Sequence, residues 1–324
     1  MRRHNSRMID TNGIRVHAVV EGDGPLVVLV HGWPEGWYSF RYQLDPLVQA
    51  GFRVAALDVR GYGGSDKPGA IEAYAMRELA ADIAGVITGL GERSAVLVGH
   101  DWGAPIVWTT AILHRAQVRA VAGLSVPYLG RPRSPLPELY RALYPDSFFY
   151  QLYFQTPGVA ERELDADVAQ TLRRTYYAAS GENCAGNASE RGFLSQKPKQ
   201  ARFLDGTVDP VVLPAWLTEA DLAYWAEQFR DGFGTSLHRY RNYERDFLAL
   251  PELAREVITQ PALFIAGELD PVLGIIPGRR LCDGMERHYA DLRDKLLLPG
   301  VGHWVQQEAP DAVNTALLSF LARL

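Results

Sequence analysis

The run Ala95-Val96-Leu97-Val98-Gly99-His100-Asp101-Trp102-Gly103-Ala104-Pro105-Ile106-Val107-Trp108 decides how this chain is read. Four apolar residues in a row predict a short buried strand, and the stretch from Ala104 onward opens a helix-like pattern. Between them stands Gly-His-Asp-Trp-Gly. Strand, tight turn and helix make the setting of a nucleophile elbow, where flanking glycines let the chain turn sharply and lift the central side chain into the open. The usual occupant of that position is serine. Here it is Asp101, a carboxylate, and the chemistry changes with it. The alternative, an aspartate that merely caps the following helix, needs no second catalytic group.

Working outward on the N-terminal side, Asn12-Gly13 is a hairpin signal, and Ile14, Val16, Ala18 and Val20 alternate beyond it. Leu26–Val30 and Arg53–Leu57 read as strands covered on both faces, the first ending in His31-Gly32-Trp33-Pro34-Glu35. Leu79, Ile83, Val86, Ile87 and Leu90 fall on one helical face. On the C-terminal side a strand is expected from about Arg119 to Val126. Prolines 132, 135, 137 and 145 then mark a change of character. From there to about Phe247 the patterns are helical and rich in tyrosine, with a capping box at Thr218–Asp221. Strands resume at Ala262–Ala266 and Leu296–Leu298, and a last helix carries Val313, Leu317, Phe320 and Leu321 in phase. The prediction is an α/β fold, a mostly parallel sheet flanked by helices, with an inserted helical lid. Its expected parts are a core over residues 1–128, the lid over 129–247, and the rest of the core over 248–324.

At 324 residues the chain is long enough for one large domain with such an insertion. A net charge of -5 gives no electrostatic case for nucleic acid or an anionic membrane surface. Cys184 and Cys282 lie too far apart for a zinc or redox motif, and they read as thiols of a protein in a reducing cytoplasm. The basic start Met1-Arg2-Arg3-His4 leads into no apolar region and is not expected to be a signal peptide. No apolar run has the length of a membrane span, and no fixed-period repeat is present.

In open α/β sheets function gathers at the carboxyl ends of strands. Four such ends carry candidates: His31-Gly32-Trp33-Pro34, Asp101, Gly267-Glu268-Leu269-Asp270, and Gly300-Val301-Gly302-His303-Trp304. Nucleophile, acid and histidine follow one another as Asp101, Asp270 and His303. His303 is expected to act as a base, since a neutral imidazole can take a proton from water near neutral pH. Asp270 would hold its ring. Glu268 competes with Asp270 for that role. His100 is expected to be structural and His31 to shape the loop that follows its strand.

Gly-His-Asp-Trp-Gly, His-Gly-Trp-Pro-Glu, and the lid segment Phe149-Tyr150-Gln151-Leu152-Tyr153-Phe154-Gln155 with Pro157-Gly158-Val159-Ala160-Glu161 resemble the α/β-hydrolase-fold epoxide hydrolases of the soluble type. The resemblance extends over nearly the whole chain. It implies the α/β-hydrolase fold, with Asp101 as nucleophile, His303 as base and Asp270 as its partner. It further implies that Tyr150 and Tyr240 hydrogen-bond the epoxide oxygen. The backbone N–H groups of Trp33 and Trp102 would form the oxyanion hole, and Pro34 would follow a cis peptide bond. A small apolar epoxide and water are the implied partners, no metal or organic cofactor is required, and a homodimer is a further expectation. Where the family often has tryptophan before the second lid tyrosine, this chain has His238-Arg239-Tyr240.

Haloalkane dehalogenation is the nearest rival, because it uses the same Asp–His–acid machinery on another leaving group. Dehalogenases of this type usually carry asparagine where this chain has Trp33, and they lack the paired lid tyrosines. Fluoroacetate dehalogenases typically have arginine where Trp102 stands. A serine esterase is disfavoured, since Ser125 lies outside an elbow. A non-catalytic receptor on this fold usually loses a catalytic residue, and here all are present.

Overall fold

A computed structural model describes residues 4–186 and 192–324, so the basic Met1-Arg2-Arg3 start lies outside the described residues. The hairpin expected at Asn12-Gly13 joins β1 (Ser6–Thr11) to β2 (Ile14–Glu21), with Gly13 at φ 75°. The remaining strands are β3 (Leu26–Val30), β4 (Arg53–Leu57), β5 (Ala95–His100), β6 (Val118–Leu124), β7 (Ala262–Gly267) and β8 (Leu292–Leu298). They form one sheet in the order β1-β2-β4-β3-β5-β6-β7-β8. β3 to β8 run parallel, and only the β1–β2 edge is antiparallel to its neighbours.

The apolar runs of the sequence are explained by two-sided cover. In β3, Leu26, Val28 and Val30 pack with Leu79, Ile83, Ile106, Val107 and Trp108, from helices Met76–Gly89 and Gly103–Leu113. Val27 and Leu29 pack on the other face with Leu44, Leu47, Val313 and Leu317, from helices Arg41–Gln49 and Pro310–Leu321. A strand with helices on both sides has no solvent face, so its sequence is apolar throughout.

Between β6 and β7 the described residues hold helices and no strand of the sheet, as the tyrosine-rich stretch predicted. The capping box is present: Thr218 Oγ1 accepts from Asp221 N, while Asp221 Oδ2 accepts from Thr218 N at 2.8 Å. This helical segment is fastened over the strand ends by polar contacts. Trp33 Nε1 donates to Ser236 Oγ at 3.1 Å, and Tyr176 donates its hydroxyl to Pro34 O at 3.1 Å. Arg239 Nη1 donates to Tyr74 O at 2.7 Å, and Asn242 Nδ2 to Ile71 O at 2.6 Å.

A candidate active site at the strand ends

The elbow is built as its glycines require. Asp101 sits at φ 48°, in the left-handed region that a residue with a Cβ rarely adopts. A Cβ on Gly99 would lie 2.2 Å from Gly103 O, and one on Gly103 would lie 1.9 Å from Val30 O. A side chain at Gly99 would force the elbow open, and one at Gly103 would push it off β3. The result is a carboxylate at the carboxyl end of the sheet.

Two loops converge on it. From the end of β3, Trp33 N donates to Asp101 Oδ1 at 2.8 Å, and the Trp33–Pro34 bond is cis as expected. A Cβ on Gly32 would lie 2.2 Å from Asp101 Oδ1 and 2.6 Å from Trp102 N, so both atoms border the space that glycine leaves open. His31 holds this loop. Val59 N donates to its Nε2 at 2.9 Å, which leaves the Nδ1 proton for Gly32 O at 2.7 Å. From beyond β8, His303 brings Nε2 to within 3.4 Å of Asp101 Oδ2. Its Nδ1 faces both Asp270 oxygens at 3.1 and 3.0 Å. Asp270 is fully buried at its carboxyl, whereas Glu268 is half-exposed and paired with Arg280 at 3.1 Å. Asp270, rather than Glu268, is the carboxylate in contact with His303.

The electrostatics follow from burial and pairing. Burial opposes the charge on His303, but the Asp270 and Asp101 carboxylates outweigh it and hold the imidazole well above its ordinary pKa. Burial likewise opposes ionisation of Asp101. The hydrogen bond and charge of His303, then His100 and the Trp33 N–H, overcome it and keep the carboxyl below its usual range. Nucleophile and base therefore rest as an ion pair.

His100 is structural, and it also links the two loops. Its Nδ1 lies 2.7 Å from Glu35 Oε2 and its Nε2 2.8 Å from His303 O. Glu35 also accepts from Gln306 and Gln307 at 3.1 Å each. Ser125 Oγ donates to the same His303 carbonyl at 2.8 Å, so that serine anchors the base loop.

Above Asp101 lies a cavity of about 390 Å³ walled by Trp102, Tyr150, Gln151 and Tyr243, and farther out by Leu139 and Phe247. Tyr150 and Tyr240 are both buried, and of the two Tyr150 is among the residues that line the cavity. Tyr240 packs edge-on against Trp102 at 5.2 Å between ring centroids and against Tyr150 at 6.1 Å. Burial, and secondly the Asp101 charge, push both hydroxyls well above an ordinary phenol. Tyr153 donates instead to Glu163 Oε2 at 2.8 Å and takes no part in this wall.

The sequence of the chain from residue 25 to 310 matches the model of the alpha/beta hydrolase fold family. It is 42% identical over 321 residues to Epoxide hydrolase A of Mycobacterium tuberculosis, covering 98% of this chain and 97% of the relative. The chain belongs to the epoxide hydrolases of the α/β-hydrolase fold. Solved structures agree. Epoxide Hydrolase A from Mycobacterium thermoresistibile superposes with a TM-score of 0.91 at 44% identity, covering 99% of this chain and 98% of that one. An epoxide hydrolase from an endophytic Streptomyces gives 0.93 at 42%, covering 98% and 95%.

Several parts of this epoxide hydrolase site escaped sequence reasoning. Arg239, whose position the sequence marked but whose contacts it did not, lies over the Trp102 ring at 4.8 Å and pairs with Asp246. Glu308 collects three backbone N–H groups: Gly302 and Gly181 at 2.8 Å on Oε2, and Trp304 at 2.9 Å on Oε1. It clamps the base loop from both sides of His303. Gln151 joins Tyr150 to Tyr243. The only sequence signal for Gln151 and Glu308 was polarity beside a recognised residue.

Proposed function

We propose that this epoxide hydrolase opens its substrate through an ester on Asp101, in two steps divided between the residues described above. The observation that carries the reading is the ion pair His303–Asp101 with Asp270 behind it and a Trp33 N–H on Asp101 Oδ1.

In the first step Asp101 Oδ2 attacks a ring carbon from the side opposite the ring oxygen. The carbon–oxygen bond breaks, and its electron pair goes to the oxygen. That oxygen leaves as a basic alkoxide unless a proton reaches it. Tyr150 and Tyr240 are phenols that stay protonated at neutral pH, and they bind it and supply the proton. Oδ1, already on the Trp33 N–H, remains as the ester carbonyl. In the second step water attacks Asp101 Cγ and gives its proton to His303 Nε2, which shed its resting proton to solvent once the ester removed the Asp101 charge. Negative charge gathers on Oδ1, where the Trp33 and Trp102 N–H groups stabilise it. The tetrahedral centre collapses, the Cγ–Oδ2 bond breaks, and the diol leaves carrying Oδ2 and a proton from His303, while the oxygen of water stays on the Asp101 carboxyl, whose proton returns to His303.

Asp270 keeps the His303 ring oriented throughout. The helical segment over residues 129–247 acts as the lid, between core segments 1–128 and 248–324. The apolar walls of the cavity support an apolar epoxide as substrate. The same reading has the protein work in the cytoplasm, as a homodimer. Among the described residues no helix is long and apolar enough to cross a membrane.

The test is intact-protein mass after mixing the His303→Gln variant with styrene oxide, beside an Asp101→Asn control. The expected result is a single substrate-mass adduct on the elbow peptide, absent from the control. An adduct formed only from a haloalkane would transfer the same machinery to dehalogenation. No adduct from either would remove the covalent mechanism.

A further inference from the structure

Tyr150 and Tyr240 do not stand in equivalent surroundings. Tyr240 makes no hydroxyl hydrogen bond among the described residues, only ring contacts. The Tyr150 hydroxyl is one end of a buried chain: Gln151 Nε2 donates to Tyr150 Oη at 2.6 Å, and the Tyr243 hydroxyl donates to Gln151 Oε1 at 2.5 Å. All three side chains are buried.

The direction of this chain matters, because a flipped amide would take the Tyr150 proton instead of leaving it free. Asp101 fixes the direction. Tyr150 and Tyr243 both line the cavity, but the Asp101 carboxylate bears more strongly on Tyr150, so the Tyr150 proton gains more by facing the cavity and the Tyr243 hydroxyl donates to Gln151 Oε1. With Oε1 engaged by Tyr243, the amide must turn its N–H to Tyr150. The Tyr150 oxygen then accepts, and its own proton is left for the cavity that it lines beside Asp101.

We propose that Gln151 and Tyr243 are positioning residues that make Tyr150 the proton donor of the ring-opening step, with Tyr240 only orienting the epoxide oxygen. This rests on the reading of the lid tyrosines given above. As the ring carbon–oxygen bond breaks, the Tyr150 proton passes to the alkoxide and the electron pair of the O–H bond stays on Tyr150. The tyrosinate formed already has the Gln151 N–H on it, so no group has to move to stabilise the new charge. The resting proton of His303, shed once the ester has removed the Asp101 charge, returns through solvent to the tyrosinate, so Tyr150 is neutral again before hydrolysis begins. The Arg239 guanidinium, 6.0 Å from the centroid of the Tyr243 ring, lies at the far end of the chain and favours negative charge along it.

The experiment is single-turnover alkylation by the full-length enzyme, followed by mass, with epoxybutane, epichlorohydrin and trifluoro-epoxypropane. These differ in how basic an alkoxide they release. Gln151→Leu is expected to slow alkylation by epoxybutane about 10- to 100-fold. It should slow trifluoro-epoxypropane far less, because a less basic leaving oxygen needs the proton less. Tyr243→Phe, which keeps the shape of the wall, should slow the epoxybutane step about 3- to 10-fold. In a Tyr150→Phe background neither change should have a further effect, whereas in a Tyr240→Phe background both effects should persist.

Equal slowing of all three epoxides by Gln151→Leu would mean distorted binding and would overturn the proposal. So would wild-type rates in Tyr243→Phe, or effects that add to Tyr150→Phe. If the wild-type enzyme forms no adduct at Asp101 with any epoxide, the nucleophile assignment fails first and the proposal falls with it.

Discussion

At rest His303 lies between two carboxylates, 3.4 Å from Asp101 and 3.0 Å from Asp270. Both help to hold its pKa well above 6.5, against the opposing effect of burial. Ester formation removes the Asp101 charge and so removes one of the two supports. The imidazole should therefore become a base just when the second step needs one. In single-turnover experiments over a pH series, ester hydrolysis is expected to rise with pH through a midpoint below the pKa of His303 in the free enzyme. A midpoint equal to that of the free enzyme would contradict this. The same pairing contributes to stability, with a definite sign. A histidine whose folded pKa is raised contributes fully below its unfolded value of about 6.5, and the contribution is lost as pH rises through the folded value. The gap in Tm between wild type and His303→Gln should accordingly narrow as the pH is taken upward from 6.5.

At the scale of the element, two loops bear the site, and each is held by a single acid, Glu35 buried and Glu308 partly buried. Glu35 accepts from Gly32 N at 3.3 Å and faces His100, while Glu308 gathers Gly302, Trp304 and Gly181. An amide at position 308 offers one acceptor oxygen where the carboxylate offers two, and it turns an N–H toward a backbone donor. Glu308→Gln is expected to cost about 1.5–3 kcal/mol, measured by denaturant unfolding. It should slow ester hydrolysis more than alkylation, because it loosens the loop of the base and not the elbow.

This clamp shows where reading the sequence stops. Asp101, Asp270 and His303 were legible because each follows an apolar run, and strand ends are where chemistry collects. The sheet was legible for the same reason: five residues such as Leu26–Val30 without a polar break imply cover on both faces. Glu308, Glu35 and Gln151 were not, since their meaning lies in partners remote in sequence. Gln151 meets Tyr243 across 92 positions and Glu308 meets Gly181 across 127. No local pattern encodes such a meeting.

At the scale of the whole molecule, one buried ion pair lies away from the chemistry. Arg60 Nε and Nη2 donate to Asp82 Oδ2 and Oδ1 at 2.8 and 2.6 Å, joining the loop after β4 to helix Met76–Gly89. The pair makes this loop a structural turn. Asp82→Ala would leave a buried guanidinium unpaired, and a loss of about 3–5 kcal/mol in unfolding free energy is expected, with turnover of the remaining folded enzyme unchanged. The nucleophile and its base arrive from opposite sides of the helical segment. His100, next to the nucleophile, and the His303 carbonyl that it bonds are 203 positions apart in the chain. Contacts of such separation form late, because the loop between them must be closed before they reward the closure. During biosynthesis Asp101 is made well before His303 and stays without its base until that later part of the chain has been added. Without His303 an ester formed on Asp101 has no base to hydrolyse it, so an epoxide captured by an unfinished fold would stay on the nucleophile.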